Sequence, residues 1–429
     1  MTDPAAPRLA PSEARGREDA SPVEIAGRVA AIAGREATVA DAFAVVPVTL
    51  AAEDATRQLA PGDLVVLRGA LTAGALTAAS VILRIAPARP PAPRSPRPLG
   101  APFEDLPASE TERLTARGVG AGLAARARAL AAVRSFFEAR GFLEVDTPAI
   151  VPSPGLDLHL DAFAVGRDLA APSGYLITSP EYQMKRLLAG GVPRCFQVTR
   201  AFRAGEVGRR HNPEFTMLEW YRAFAEVEAL IDETEALVRE VARALGRVRS
   251  LEIGGHHVSL EEPFERLPVG EAFARYAGVP AGEAIAMASA DEDRFFRLLV
   301  DAVEPALARS PRPVFLVEYP APFASLARLK PSDARVAERF ELYVAGVELC
   351  NGFGELTDPA EQRARLLRDQ AAREAAGKPV YPIDERFLAA LEEGMPPSSG
   401  NALGLDRLIA VCLGTEVISS VQAFPMDWL

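Results

Sequence analysis

Cysteine, histidine and lysine are scarce in this chain, and each scarcity removes a class of explanation. The three cysteines, Cys195, Cys350 and Cys412, stand far apart with no CxxC pair. Of the four histidines, His256 and His257 are adjacent and the other two isolated. Neither set has zinc-ligand spacing, and the thiols are expected to be reduced. No apolar run approaches the length of a membrane span, and the opening MTDPAAPRLAPSEARGRED lacks a basic-then-apolar leader pattern, so a cytoplasmic location is expected. A formal net charge of -11 excludes a global basic field that would gather nucleic acid. No GxxxxGK[ST] loop occurs, nor a GxGxxG between a strand and a helix. Any nucleotide must therefore be held by arginines and carboxylate-bound magnesium rather than by a P-loop.

What is present suggests several segments. At 429 residues the chain has room for two or three domains, with 49% hydrophobic and 24% charged residues, as in an ordinary globular protein. Residues 1–21 are polar and rich in Ala, Pro and Glu, which predicts a disordered tail. Residues 22–86 alternate short apolar segments with turn residues: VEIAGRVAAIAG, ATVADAFAVVPVTL, GDLVVLRGAL and LTAASVILRI. These predict four or five strands of a small closed β-barrel, an OB-fold being the best match. Residues 87–108 contain PARPPAPRSPRPLGAP, an extended proline-rich linker. Residues 109–429 read as one continuous α+β domain. It opens on the helical pattern LAARARALAAVRSFFEARG and the strand-like FLEVDTPAI.

Four stretches of that domain carry candidate chemistry. In FQVTRAFRAGEVGRRHNPEFTMLEWY (196–221), Arg203 ends a strand, a basic loop follows, and a second strand alternates its faces. That pattern predicts a β-hairpin whose loop folds over a polyanion, since a guanidinium donates paired hydrogen bonds to phosphate oxygens. In ERFELYVAGVELCNGFGEL (338–356), Glu341, Glu348 and Glu355 are seven residues apart around an Ala345-Gly346 turn, so Glu341 and Glu348 are expected to face each other. Two facing carboxylates repel unless a cation lies between them, and magnesium is the natural occupant. TSPEYQMKRLL (178–188) predicts a helix with Ser179 as N-cap, Pro180 at its first position and Glu181 complementing the dipole. SGNALGLDRLIAVCLG (399–414) predicts a glycine-rich strand leading into a helix near Asp406 and Arg407, with Gly404 allowing close approach to the backbone.

Together these stretches resemble motifs 1, 2 and 3 of the class II aminoacyl-tRNA synthetases, and HNPEFTMLE places them near the lysine branch. The resemblance spans nearly all of 109–429. It implies an α+β fold, an antiparallel sheet flanked by helices, and a homodimer formed through motif 1. It also implies an ATP site in which Arg203 clamps the α-phosphate and Arg407 meets the γ-phosphate. In that site Glu206, His211 and Asn212 shape the pocket, Phe215 stacks on adenine, and Glu348, Leu349 and Gly404 complete it. Glu341 and Glu348 bind Mg2+. The amino-acid pocket comprises Ser179, Glu181, Tyr221, Asn351, Phe353, Glu355 and Ala402. Glu181 and Glu355 there supply two anionic anchors for two amines, hence for lysine or an isomer.

Within the class, the phrases most resemble the elongation factor P–lysine ligases, paralogues that adenylate (R)-β-lysine and pass it to a lysine side chain of elongation factor P. Lysyl-tRNA synthetases have glycine where this chain has Ala402, which supports that placement. A lysine–tRNA ligase with a reduced barrel and a non-catalytic regulator are the alternatives. The barrel's single aromatic, Phe43, and absence of lysine favour a structural or protein-docking role over anticodon reading. Two departures stand out. Gly205 occupies the family's motif 2 Glu position, so that either Glu206 swings in or the contact is lost. The second is the barrel itself, which the familiar ligases lack.

Overall fold

The computed structural model describes residues 6–17, 19–51, 59–87, 110–166 and 173–428. The chain divides into two compact units, Met1–Ala124 and Ala125–Leu429. The division falls inside a helix rather than at 108/109. Residue 120 packs with the first unit so closely that a Cβ on Gly120 would lie 1.9 Å from the Ala42 carbonyl oxygen.

In the first unit, β1 (Ala20–Ala33), β2 (Glu36–Ala40), β3 (Val45–Leu50), β4 (Leu64–Thr72) and β5 (Ala75–Ile85) run in the order β1-β2-β3-β5-β4. β4 returns to pair with β1 and closes the sheet, as expected of an OB-like barrel. Alternation sends Val23, Ile25, Val46, Val48 and Leu67 inward. The expected disordered tail needs correction over residues 8–14. Arg8–Leu9 pairs in parallel with Glu24 and Ile25, a short helix spans Pro11–Ala14, and Leu9 and Ala14 are buried. The apolar side chains hidden in an otherwise polar stretch hold it to the barrel. From residue 88 the expected linker lies outside the described residues.

The second unit is built on a sheet ordered β9-β10-β11-β12-β13-β8-β7-β6. Its strands are β6 (Leu143–Glu144), β7 (Arg194–Phe202), β8 (Glu214–Ala223), β9 (Glu265–Pro268), β10 (Val314–Pro320), β11 (Asp333–Val344), β12 (Val347–Gly354) and β13 (Ser398–Gly404). The centre is antiparallel as expected, but β9–β10 and β6–β7 are parallel, which makes the sheet mixed. The strand expected over FLEVDTPAI shortens to Leu143–Glu144. β11 and β12 turn at Ala345 and Gly346, both at positive φ (49° and 74°), the geometry of a two-residue hairpin.

One face of this sheet carries the core. Leu218, Trp220, Leu342, Cys350 and Leu403 pack there against helices α1 (Val119–Glu138, through Val133 and Phe137), α3 (Val227–Ala244, through Leu237 and Val241) and α6 (Leu405–Cys412, through Leu408 and Ile409). The other face is left for α2 (Glu181–Ala189), α4 (Pro359–Ala375) and α5 (Glu385–Gly394) and for the cavity that α2 and α4 border. Among the described residues no helix is long and apolar enough to cross a membrane.

One polar knot ties these elements. The buried Asp406 carboxylate accepts from the Thr216 amide (2.9 Å) and Gln422 Nε2 (2.9 Å), while Arg126 of α1 pairs with both Asp406 and Thr216 Oγ1. Removing the cation strands a buried charge. Arg126→Met is therefore expected to lower unfolding stability by about 3–5 kcal/mol in denaturant titration, and Asp406→Asn in that background to recover part of the loss.

Candidate active site

Strand register decides which side chains meet. Across β8, β13, β12 and β11, Glu219 stands opposite Ala402, Ala402 opposite Asn351, and Asn351 opposite Glu341. Two residues along, Tyr221, Gly400, Phe353 and Arg339 make a second row. Because strand side chains alternate with a period of two, both rows share the face opposite the core. They border a cavity of about 660 Å³. Every residue that the resemblance placed in the nucleotide, metal and amino-acid sites lines this cavity.

At one end the β7–β8 hairpin presents Arg203, with its guanidinium 5.0 Å from the centre of the Phe215 ring and its Nε buried without an acceptor. Of the two outcomes left open for Glu206, the structure has it turned in, 3.7 Å from Arg203 Nη1. Gly205 makes that turn at φ +82°, a conformation in which an L side chain is strained, so the glycine and the displaced acid belong together. Arg407 donates to the Glu348 carbonyl (2.9 Å) and to His211 Nε2 (2.7 Å). Burial first, then Arg407, lowers the His211 pKa, which keeps the ring neutral and able to accept that bond. Asn212 donates to the Glu214 carbonyl and accepts from the Met426 amide (2.9 Å), bracing the loop rather than aiming a donor inward. Leu349 borders these groups with its side chain buried in the core, and Gly404 leaves bare backbone beside them and caps α6.

Glu341 and Glu348 come together as expected, though the bulge after Leu342 sets Glu348 opposite Tyr343 rather than Glu341. Glu341 is already paired, accepting from Tyr319 (2.5 Å), Tyr343 (2.8 Å) and Arg339 (2.6 Å). Glu348 is not so compensated. Burial and then Glu341 push its carboxyl above the ordinary range, even though its side chain opens 42% to the cavity. Among the described residues no group of three metal-ligating side chains occurs. A carboxylate pair suits a magnesium ion that brings its other oxygens with a polyphosphate, rather than a dedicated cage.

At the other end lie three carboxylates. Glu181 begins α2, one residue later than expected, and its amide donates to Ser179 Oγ (3.0 Å). Glu355 is fully buried, with Oε1 unpartnered. Glu219, also fully buried, accepts from Tyr221 (2.7 Å) and Ser179 (2.9 Å). Burial pushes Glu219 up to about 8, with Glu181 adding to the rise, and pushes Glu355 up to about 7. Among the described residues one cation pairs with them directly. Lys185 Nζ lies 2.6 Å from both Glu181 and Glu355.

Glu219 and Lys185 are the residues that sequence reasoning missed. Both had a signal. Glu219 is two residues before Tyr221 on the same strand face, and Lys185 is four residues after Glu181 on one helix face. Arg339 was missed too, although it lies two residues before Glu341 and so on the same face.

The chain's relatives agree with this geometry. Residues 111–428 match the family model for class II tRNA synthetases (D, K and N). The elongation factor P–(R)-β-lysine ligase of Edwardsiella ictaluri is 44% identical over 328 residues, covering 72% of this chain and 95% of the relative. The corresponding ligase of Erwinia tasmaniensis is 44% identical over 319 residues (72% and 95%), and that of Proteus mirabilis 43% over 329 residues (71% and 95%). The chain belongs to the class II aminoacyl-tRNA synthetase family and, within it, to the group of elongation factor P–(R)-β-lysine ligases.

Proposed function

We infer that this chain adenylates lysine or (R)-β-lysine with ATP and transfers the acyl group to a lysine side chain of elongation factor P. The observation that carries this reading is the pocket in which Glu181, Glu219 and Glu355 meet a single protein ammonium, beside an arginine end that lacks a P-loop. Two fully buried carboxyl groups, the partly exposed Glu181 and one paired lysine leave a deficit of positive charge on ionisation that a diamino acid fills. The relatives' names supply the acceptor. Engagement of the barrel's Arg8, Arg68 and Arg84 by Glu24 and Asp63 weighs against its acting as a tRNA-binding groove.

In this reading the substrate's ammonium groups are held by Glu181, Glu219 and Glu355, with Tyr221, Ser179, Asn351, Phe353 and Ala402 shaping the space between. Its carboxylate attacks the α-phosphorus and pyrophosphate leaves, giving the acyl-adenylate, while Arg203 neutralises developing charge and Arg407 holds the distal phosphate. His211, Asn212, Glu206, Phe215, Leu349 and Gly404 form the nucleotide bed. Magnesium held by Glu341 and Glu348 supplies further charge neutralisation. The acceptor amine then attacks the acyl carbon and AMP leaves, so positioning and electrostatics suffice without a side-chain nucleophile. Exposed Leu143 and Ile150 (each 55%) flank the segment that follows α1 and support a homodimer through that region.

Three outcomes test this reading. Incubation with ATP, magnesium, (R)-β-lysine and elongation factor P is expected to add one lysyl mass to the protein by intact mass spectrometry, whereas charging of tRNA alone would overturn the acceptor assignment. Ala402→Gly, which removes a methyl between Glu219 and Asn351, is expected to raise the α-lysine over β-lysine preference about tenfold in ATP–pyrophosphate exchange, and unchanged relative rates would contradict it. Because Glu219 and Glu355 carry raised pKa values and a diammonium substrate needs them ionised, binding must expel protons below about pH 8. The KM for the amino acid is therefore expected to fall as pH rises from 6 to 8, while the KM for ATP follows no such trend. The same two raised pKa values make the ligand-free fold less stable as pH rises through that window.

A further inference from the structure

Lys185 sits in α2 at 0% side-chain exposure, behind the cavity rather than on its lining. Its Nζ is 2.6 Å from Glu181 and 2.6 Å from Glu355, two carboxylates that come from separate elements and both line the cavity. The Phe353 ring lies 5.9 Å from the same ammonium. Burial alone would discharge a lysine, but Glu181 and Glu355 reverse that and hold it well above the ordinary lysine range. Glu355 keeps Oε1 unpartnered, and both Glu219 oxygens accept only neutral hydroxyls. Among the described residues Lys185 is thus the one cation that pairs directly with any of these three carboxyl groups.

We propose that Lys185 is a positioning and specificity-determining residue, whose ammonium ties Glu181 to Glu355 and cancels one of three carboxylate charges, so that the pocket is completed by a substrate bearing two ammonium groups. The inference rests on the reading of the site as a diamino-acid pocket. A fixed lysine sets the spacing of the two anchors before substrate arrives, which lowers the reorganisation that binding requires. It also sets the count. Without Lys185, Glu181 and Glu355 lose the cation that favours their ionised forms, and an anchor that keeps its proton no longer attracts an amine. With it, the two remaining negative charges match lysine or β-lysine and disfavour a monoamine.

The test is amino-acid-dependent ATP–pyrophosphate exchange with the full chain. Lys185→Met is expected to raise the KM for lysine or β-lysine about 100-fold, with the KM for ATP changed by less than about threefold. Lys185→Ala leaves room for an exogenous cation, and propylammonium or butylammonium at millimolar concentration is expected to restore lysine-dependent exchange, whereas isosteric neutral alcohols do not. A purely structural lysine would show no such charge-specific rescue. Unchanged lysine KM in Lys185→Met, or equal loss of ATP and lysine affinity with no ammonium rescue in Lys185→Ala, overturns the proposal. Should neither variant fold, Lys185→Arg keeps the charge and is expected to hold the lysine KM within about tenfold, and a KM raised as far as 100-fold in that variant also overturns it. If the unmodified chain itself activates no diamino acid, the reading of the site fails instead, and the two failures are told apart by that control.

Discussion

A carboxylate taken out of water must find a cation or surrender its charge, and this rule organises the cavity from end to end. Glu341 has Arg339 and two tyrosines; Glu181 and Glu355 share Lys185. Glu219 has only hydroxyl donors, and Glu348 has Arg407 no nearer than 3.6 Å. The unmet negative charge is therefore concentrated in two places, one beside each missing partner. The Glu219–Glu355 end calls for an organic cation, and the Glu348 end for a metal that arrives with phosphate. The two arginines facing the latter end, Arg203 and Arg407, supply the reverse complement, positive charge awaiting an anion.

The fold enforces this arrangement through register. Glu219, Ala402, Asn351 and Glu341 come from four strands distant in sequence, and only hydrogen-bonded pairing across β8, β13, β12 and β11 sets them in one row. A one-residue slip in β13 would turn Ala402 into the core and Leu403 into the cavity. The knot around Asp406, which joins α1, β8 and the C-terminal segment through Arg126, Thr216 and Gln422, holds that register at the point where β13 runs into α6.

Much of this is legible in the sequence, and what is not shares a physical cause. The Arg203 hairpin, the Glu341–Glu348 turn at Ala345-Gly346 and the five-stranded barrel were readable because they are local: a turn residue, a period of two, a short spacing. Lys185 and Arg339 were missed because their importance is non-local. Nothing in MKRLL says that its lysine is the buried one, and only the approach of Glu355, 170 positions downstream by residue number, makes it so. Residues 8–14 were misjudged for the same reason, since Leu9 and Ala14 matter through a barrel that begins after them. Gly205 leaves two outcomes open in the sequence, and its positive φ accompanies the one in which Glu206 turns toward Arg203.

The central claim is that the pocket is a charge-counted site for a diamino acid. The most direct measurement compares lysine with norleucine, its near-isostere without the side-chain amine, as substrates for ATP–pyrophosphate exchange. The account predicts that norleucine is disfavoured by about 10⁴-fold in kcat/KM, because binding it leaves buried carboxylate unpaired. Norleucine activated within tenfold of lysine would contradict it.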